Sequence, residues 1–291
     1  MARPRGVFVG LATVDLIHRV AATPGVDEKV TALSQEIVAG GPAANAAVTF
    51  ALLGGDATLI TDLGRHPLAD LARADLTGQG VRVRAVAPDA DEPPAVSSIR
   101  VLDATGERSV VSVNAASRTV DAPPWLPAAL DDAGVLLLDG HHPRLALAAA
   151  RAARDRAVPV VLDAGSWKPV IDELAALTDV AVCSADFAVP GAGDPAVALL
   201  DRGVGAVAVS RGGRPLRWWS AGRSGEVPVP AVEVRDTLGA GDVLHGAFAW
   251  EVAIGSGDLV PGLTRAVQVA SERCAFAGID AWRRHRRQKG R

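Results

Sequence analysis

Apolar residues along this chain form short runs that alternate with stretches of helical spacing. Runs with the length of a buried strand lie at residues 6–12, 57–61, 135–138, 158–162, 180–183 and 204–210. Stretches with helical spacing lie between several of them, at residues 42–53, 66–78, 143–156 and 195–200. This alternation predicts an α/β fold with a doubly wound, mostly parallel sheet and helices on both faces. Binding sites in such folds lie at the carboxyl ends of the strands.

Two stretches break the alternation, because each contains strand-like segments with no helix between them. Residues 96–101 and 109–113 flank a turn at 103–107, which is typical of a hairpin. We expect these extra strands to pair antiparallel and to form a small lid over the strand ends. The predicted organisation is therefore an α/β domain of residues 1–14, 39–94 and 114–291 and a discontinuous β lid of residues 15–38 and 95–113.

Composition narrows the class of protein. The chain has 291 residues, of which 49% are hydrophobic and 22% charged, enough for one large folded domain with a small appendage. No apolar run could cross a bilayer, and the N-terminus lacks a signal-peptide core, so we expect a cytoplasmic protein without a membrane partner. The formal net charge of −3 predicts no general attraction to nucleic acid. We interpret the basic run at 283–291 as a frayed, solvated end.

The strongest chemical signal is the string DTLGAGD at residues 236–242, which precedes an apolar stretch with helical spacing. Small residues let the backbone approach an anion closely, and the free N–H groups and dipole at a helix start favour a phosphate. Asp242 lies in that same turn, where its carboxylate can point at an incoming hydroxyl group. The string therefore predicts a phosphate site with an adjacent acid.

A second signal is the string GGPAAN at residues 40–45, which runs into a helix. Two glycines before a proline at a helix start would let a ligand approach the backbone. Asn45 lies one turn into the helix, and its amide group both donates and accepts hydrogen bonds, which suits sugar hydroxyls.

These two strings, in this order, resemble the two signatures of the ribokinase-like (PfkB) family of carbohydrate kinases. The similarity extends over essentially the whole chain: residues 10–15, 60–64 and 209–213 are similar to the family's first strand, the strand after the first signature and the nucleotide loop. The resemblance implies a ribokinase-like fold and transfer of the γ-phosphoryl group of ATP to a sugar hydroxyl.

The resemblance also implies roles for matching residues. Asp242 would be the catalytic base, and the transferring phosphoryl group would be bound by the backbone N–H groups of Gly239, Ala240 and Gly241. The acceptor would be bound by Asp15, Gly41 and Asn45. The nucleotide would lie along Ser184, Ser210, Gly212, Ala270, Ser271 and Cys274.

Metal ions are implied less directly. Many family members carry Asn-x-x-Glu near the Mg²⁺, whereas this chain has Ser184-Ala185-Asp186, closer to the Ser-x-Asp of ketohexokinase-like members. Asp186 is therefore our candidate for indirect contact with Mg²⁺. Asp236 matches an acid that binds a monovalent cation such as K⁺ in some members. Because the chain after Cys274 is shorter than in ribokinases, dependence on K⁺ is left open.

Three other residues are candidates for the acceptor site. Arg108, in the predicted lid hairpin, either binds substrate or is solvated. His141 follows a strand end and would contact the acceptor. Lys29 either pairs with a substrate sulfonate or is a solvated lid residue. Because a neutral histidine is a weak anion ligand, we favour a neutral ketose or polyol over a sulfofructose. A nucleoside kinase and a non-catalytic sugar-binding protein remain the alternatives.

The lid also bears on assembly. A sheet of a few strands has an apolar face and an edge that a monomer leaves uncovered, which predicts a homodimer through residues 31–38 and 97–113.

Two other classes of glycine-rich α/β protein do not match. A dinucleotide-dependent oxidoreductase needs Gly-x-Gly-x-x-Gly after the first strand, whereas Gly10 is followed by Leu-Ala-Thr-Val-Asp. A P-loop NTPase needs Gly-Lys-Ser/Thr, and none of the lysines, Lys29, Lys168 and Lys289, follows a glycine.

Overall fold

The computed structural model describes residues 3–114, 118–255 and 258–289. The strands are β1 (Arg5–Val9), β2 (Thr13–Val20), β3 (Ser34–Gly40), β4 (Asp56–Thr61), β5 (Val81–Ala85), β6 (Ala95–Leu102), β7 (Arg108–Ser112), β8 (Val135–Leu138), β9 (Val160–Ala164), β10 (Val180–Cys183), β11 (Ala206–Arg211), β12 (Arg214–Ser220) and β13 (Arg223–Val227). The helices are α1 (Pro42–Leu52), α2 (Pro67–Gly78), α3 (Pro143–Arg154), α4 (Ile171–Ala175), α5 (Pro195–Asp201), α6 (Ala240–Ala253), α7 (Leu259–Cys274) and α8 (Ile279–Lys289).

The larger sheet has nine strands in the order β13-β12-β11-β10-β9-β8-β1-β4-β5. Its strands run in one direction except for β12, which pairs antiparallel with both β11 and β13 at one edge. Side chains alternate between the two faces, so on β8 Leu136 and Leu138 pack towards α3, α4 and α5, whereas Val135 and Leu137 pack towards α1, α6 and α7. The predicted α/β fold, with helices on both faces of a mostly parallel sheet, is confirmed.

A smaller sheet has four strands in the order β3-β2-β6-β7. Strands β2 and β3 and strands β6 and β7 are antiparallel, as expected, but the central pair β2 and β6 is parallel. The expectation of antiparallel strands alone is therefore wrong for the pairing that joins the two chain segments. One face of this sheet packs against α8 through Ile17, Ile99, Ile279 and Trp282. The division of the chain into a domain and a lid stays a prediction.

The basic C-terminal run is not a frayed end over the part that the structure describes. It lies in α8, where Trp282 and Arg283 are each only 1% exposed. Glu272 on α7 contacts three polar side chains of this helix, those of His285, Arg286 and Lys289. The interpretation was wrong because it weighed charge alone and ignored the apolar residues of the same helical face. Across the described residues, no helix is both long enough and apolar enough to cross a membrane.

Candidate active site

The site is organised by the start of α6. Gly239 precedes the helix with a φ of 72°, a left-handed conformation that glycine adopts without strain. The buried side chains Val243, Leu244 and Ala247 fix the helix against the core. The N–H of Ala240 donates to Thr237 O at 3.2 Å, so this amide would have to leave that bond to contact a phosphate. The N–H groups of Gly239 and Gly241 are therefore the better candidates for an anion hole.

Helix α1 packs against α6 and joins the two sequence signatures. Asn45 Nδ2 donates to Asp242 Oδ2 at 2.8 Å, although 197 residues separate them. The close approach depends on Gly246, because a Cβ there would collide with Ala46 O and Thr49. Arg283 Nη2 donates to Asn45 Oδ1 at 3.4 Å, which agrees with an amide whose nitrogen faces Asp242.

Asp242 is partly buried and lies beside other acids. Burial, and then the Asp163 carboxylate, raise the pKa of Asp242 from 3.8 to about 7. The hydrogen bond from Asn45 and the nearby His245 act in the opposite direction. A carboxylate with such a pKa can accept a proton efficiently near neutral pH.

His245 connects this helix to the strand ends and was given no role from the sequence. Its Nδ1 lies 2.7 Å from Gly241 O, and its Nε2 lies 3.0 Å from Val182 O and 3.4 Å from Asp163 Oδ1. Both ring nitrogens thus lie next to oxygen atoms, so that His245 connects the start of α6 to the ends of β9 and β10. In the sequence, the only indication that His245 belongs to the site is its position one helical turn after Gly241.

The predicted acceptor residues lie at the start of α1 and on β2. Asp15 is buried, accepts a hydrogen bond from Thr13 Oγ1 at 2.6 Å, and has a pKa raised by burial. A Cβ at Gly40 would collide with the Asp15 carboxylate, and one at Gly41, whose φ is 97°, would collide with Leu11 O. The two glycines therefore make room for the protein's own chain, rather than only for a ligand as the sequence suggested.

Asp139 is a buried acid that the sequence reasoning left without a role. It follows β8 and accepts hydrogen bonds from the N–H groups of Leu11, Ala43 and His141 at 2.8, 3.2 and 3.0 Å. It thereby ties the end of β1 to the start of α1. His141 itself is partly buried, and this burial lowers its pKa, so the ring is neutral near pH 7.

A cavity of about 450 Å³ opens beside the start of α6. Nine of the residues predicted to contact nucleotide or phosphate line it, namely Ser184, Asp186, Ser210, Gly212, Ala240, Gly241, Ala270, Ser271 and Cys274. Its volume lies in the usual range for a small-molecule site. Residues 229–232 and Val234 also line it, although this irregular segment gave no sequence signal.

The remaining candidates are distributed around the site. Arg108 Nη1 donates to Thr237 Oγ1 at 3.0 Å and lines the same cavity. Arg108 on β7 lies opposite Val101 on β6, whereas Asp15 on β2 lies opposite Ser97 of the same strand. The two positions are therefore four residues apart along β6. Arg108 therefore lies nearer the predicted nucleotide site than the predicted acceptor site. Lys29 is exposed in the loop between β2 and β3.

The chain is similar to known proteins in both sequence and fold. The pfkB family carbohydrate kinase model matches residues 4–278. The chain is 28% identical to a ribokinase from Arabidopsis thaliana over 272 residues, covering 84% of this chain and 70% of that protein. It is 27% identical to a deoxyribokinase from Salmonella typhi over 284 residues, covering 90% of each. The structure of Arabidopsis thaliana ribokinase complexed with ribose and ATP superposes with a TM-score of 0.79 at 24% identity, covering 99% of this chain and 98% of that one.

Proposed function

The chain belongs to the pfkB family of carbohydrate kinases, and on that premise we propose that it transfers the γ-phosphoryl group of ATP to a primary hydroxyl of a neutral sugar. The observation that carries the proposal is the 2.8 Å contact between Asn45 and Asp242, next to the cavity lined by the predicted nucleotide residues. One side of Asp242 thus faces the predicted acceptor residues and the other the predicted phosphate site.

In the proposed reaction, Asp242 accepts the proton of the attacking hydroxyl while Asn45 holds the carboxylate in place. Its pKa of about 7 leaves a substantial ionised fraction at neutral pH, as a general base requires. The positive end of the α6 dipole and the amides of Gly239 and Gly241 would stabilise charge on the transferring phosphoryl group. Arg108, because it lines the cavity, is better suited to the nucleotide phosphates than to the acceptor.

Mg²⁺ is part of the proposal, and the acids present fit it. Asp163 lies at the end of β9 and Asp186 follows β10, and carboxylate oxygens are the protein ligands that Mg²⁺ prefers. Both would act on an ion held chiefly by the ATP phosphates, directly or through water. When bound, the ion neutralises charge on the triphosphate.

The charges around Asn45 favour a neutral acceptor. Asp15 and Asp242 place two carboxyl groups on this side of the site, and in their ionised forms they would repel a sulfonate or phosphate. We therefore propose a neutral ketose, as in the ketohexokinase-like branch. A five-carbon aldose is the second candidate, because the chain is similar over most of its length to a ribokinase and a deoxyribokinase.

The test is ADP release with Mg²⁺ and ATP across a panel of ribose, deoxyribose, ketohexoses, adenosine and a sulfonated ketose. We expect a neutral sugar to have the highest kcat/KM. A preference for adenosine would instead identify a nucleoside kinase. Binding of a sugar without any ADP release would identify a non-catalytic sugar-binding protein.

Lys29 provides a direct test of the acceptor charge. Because this lysine is exposed in the lid loop, we expect Lys29→Ala to change kcat/KM for the best neutral sugar by less than about twofold. Lys289→Ala, at the far end of α8, is the matched control for loss of one lysine charge. A loss confined to the sulfonated ketose, in a wild-type protein that prefers that substrate, would overturn the neutral-acceptor proposal.

We also propose that the protein forms a homodimer through the lid. Ile37, Leu16, Ser98 and Val111 are register partners across the four strands, so they share the face opposite Asp15. Ile37 and Val111 are 45% and 75% exposed there, which leaves two large apolar side chains of this row uncovered in a monomer.

We expect light scattering to show a dimer at micromolar concentration and the double variant Ile37→Glu/Val111→Glu to be a monomer, because charged residues cannot be buried unpaired in an interface. Val197→Glu, at an exposed apolar position of α5, is the control and should leave the dimer intact. A wild-type monomer with full activity would contradict the proposal.

A further inference from the structure

Asp236 is the first residue of the segment 236–242, which we call the phosphate loop. Hydrogen-bond donors surround its carboxylate. Its Oδ2 lies 3.1 Å from Arg19 Nη2, 3.3 Å from Arg273 Nη2 and 3.1 Å from the N–H of Gly278. Its Oδ1 accepts from the N–H of Leu238 at 2.8 Å. The carboxylate is 1% exposed and Arg273 is fully buried, so water does not screen these contacts.

This environment does not fit a monovalent cation. Such an ion needs several oxygen atoms that face it directly, whereas the carboxylate of Asp236 is faced by two guanidinium groups and two backbone N–H groups. The nearby carbonyl of Phe276 accepts a hydrogen bond from Arg273 Nη1 at 2.9 Å. A cation at Asp236 would also lie next to two guanidinium groups, and like charges in a poorly hydrated site repel strongly.

The charge of the buried Asp236 carboxylate is compensated without an added ion. Arg19 and Arg273 place two guanidinium groups on it, the partly buried Glu36 lies beside them, and Arg19 also pairs with the exposed Asp103 at 3.4 Å. A cavity of about 10 Å³ lies between Arg19, Glu36 and Asp236, which is room for roughly one water molecule. Such a water would satisfy Glu36 Oε2, which lacks a protein hydrogen-bond partner among the described residues.

We infer that Arg19 and Arg273 replace a monovalent cation at Asp236, so that this kinase works without K⁺. The inference rests on the proposed kinase activity for its kinetic part. The two arginines are positioning residues: they hold Asp236, whose hydrogen bond to Leu238 shapes the chain leading into Gly239 and α6. Arg273 comes from α7, which also supplies the cavity residues Ala270, Ser271 and Cys274, so phosphate loop and nucleotide cavity are fixed to one another.

The first experiment compares the wild-type protein in potassium chloride and in N-methylglucamine chloride at equal ionic strength. We expect kcat to agree within about twofold, and Tm to agree within about 1 °C, since an ion that does not bind the native state cannot stabilise it. Stimulation by K⁺ well above twofold, or a Tm that rises with K⁺ and saturates, would overturn the inference. If no activity is found with any acceptor, the proposed function fails while the Tm comparison still decides whether K⁺ binds.

The second experiment removes each guanidinium group. Arg273→Met and Arg19→Gln should lower kcat by about tenfold or more, because the phosphate loop loses its anchor, and added K⁺ should restore part of the loss in at least one variant. Arg284→Gln, which removes one exposed guanidinium group on α8, is the control and should be unaffected by K⁺. If the fully buried Arg273 variant does not fold, the partly exposed Arg19→Gln carries the test. Loss of kcat that K⁺ restores in neither variant would show a merely structural role and would overturn the inference.

Discussion

Replacing Asp242 with asparagine is expected to lower kcat by about 10²–10⁴-fold, the usual contribution of a positioned general base. The amide is similar in size to the carboxylate, so the fold and the ATP cavity should be unchanged, and the affinity for ATP should change little. Steady-state ADP release and a separate nucleotide-binding measurement distinguish these effects. Asp201→Asn, an exposed change at the end of α5, is the control for loss of one acidic charge. Turnover near that of the wild type would exclude Asp242 as the base.

The pH dependence provides a second measure of the same group. Because the pKa of Asp242 is raised to about 7, wild-type kcat/KM should rise as pH increases through about 7 and the carboxylate ionises. The same shift means that the folded protein binds this proton more tightly than the unfolded chain does. As pH rises from about 4 to about 7, the free energy of unfolding of the wild type should therefore fall relative to that of Asp242→Asn. The variant lacks this titrating carboxyl group and should not show the change. A Tm difference that does not change with pH would contradict the raised pKa.

Removing divalent ions is expected to abolish ADP release, and adding Mg²⁺ to restore it. Asp163, Asp186 and Asp242 lie around the predicted phosphate site, and among the described residues Arg108 and Arg211 are the basic side chains that line the cavity. Two guanidinium groups do not neutralise a triphosphate together with these acids, so ATP would bind weakly without a divalent counter-charge. Isothermal titration should likewise show ATP binding weakened in EDTA. A full rate in EDTA with purified, metal-free protein would exclude a role for Mg²⁺.

A variant of Asp186 tests whether this residue contributes to Mg²⁺ binding. Asp186→Asn, an exposed change that should fold normally, is expected to raise the Mg²⁺ concentration for half-maximal rate by about tenfold, as loss of an indirect contact typically does. Asp201→Asn again serves as the control. An unchanged Mg²⁺ dependence would leave Asp163 as the better candidate.

Much of the fold followed from the sequence because its determinants are local. Apolar runs of strand length and stretches of helical spacing identify elements through the side chains that each must bury, and strict alternation of the two predicts a parallel sheet. The strings at 40–45 and 236–242 are also local. In each, a glycine directly before the start of a helix can be recognised from the residues next to it. The family followed from their order along the chain.

The tertiary structure decided which side chains meet, because that depends on packing between distant segments. The sequence did not indicate that Gly246 lets α1 approach α6, which brings Asn45 to Asp242. Arg283 was assigned to solvent from the charge around it, yet it is buried against the same asparagine. Asp236 matched a cation ligand in its local string, but Arg19 and Arg273 reach it from other elements. A carboxylate's partners, and hence its pKa and the ions it can bind, are set by groups far along the chain that only folding brings within hydrogen-bond distance.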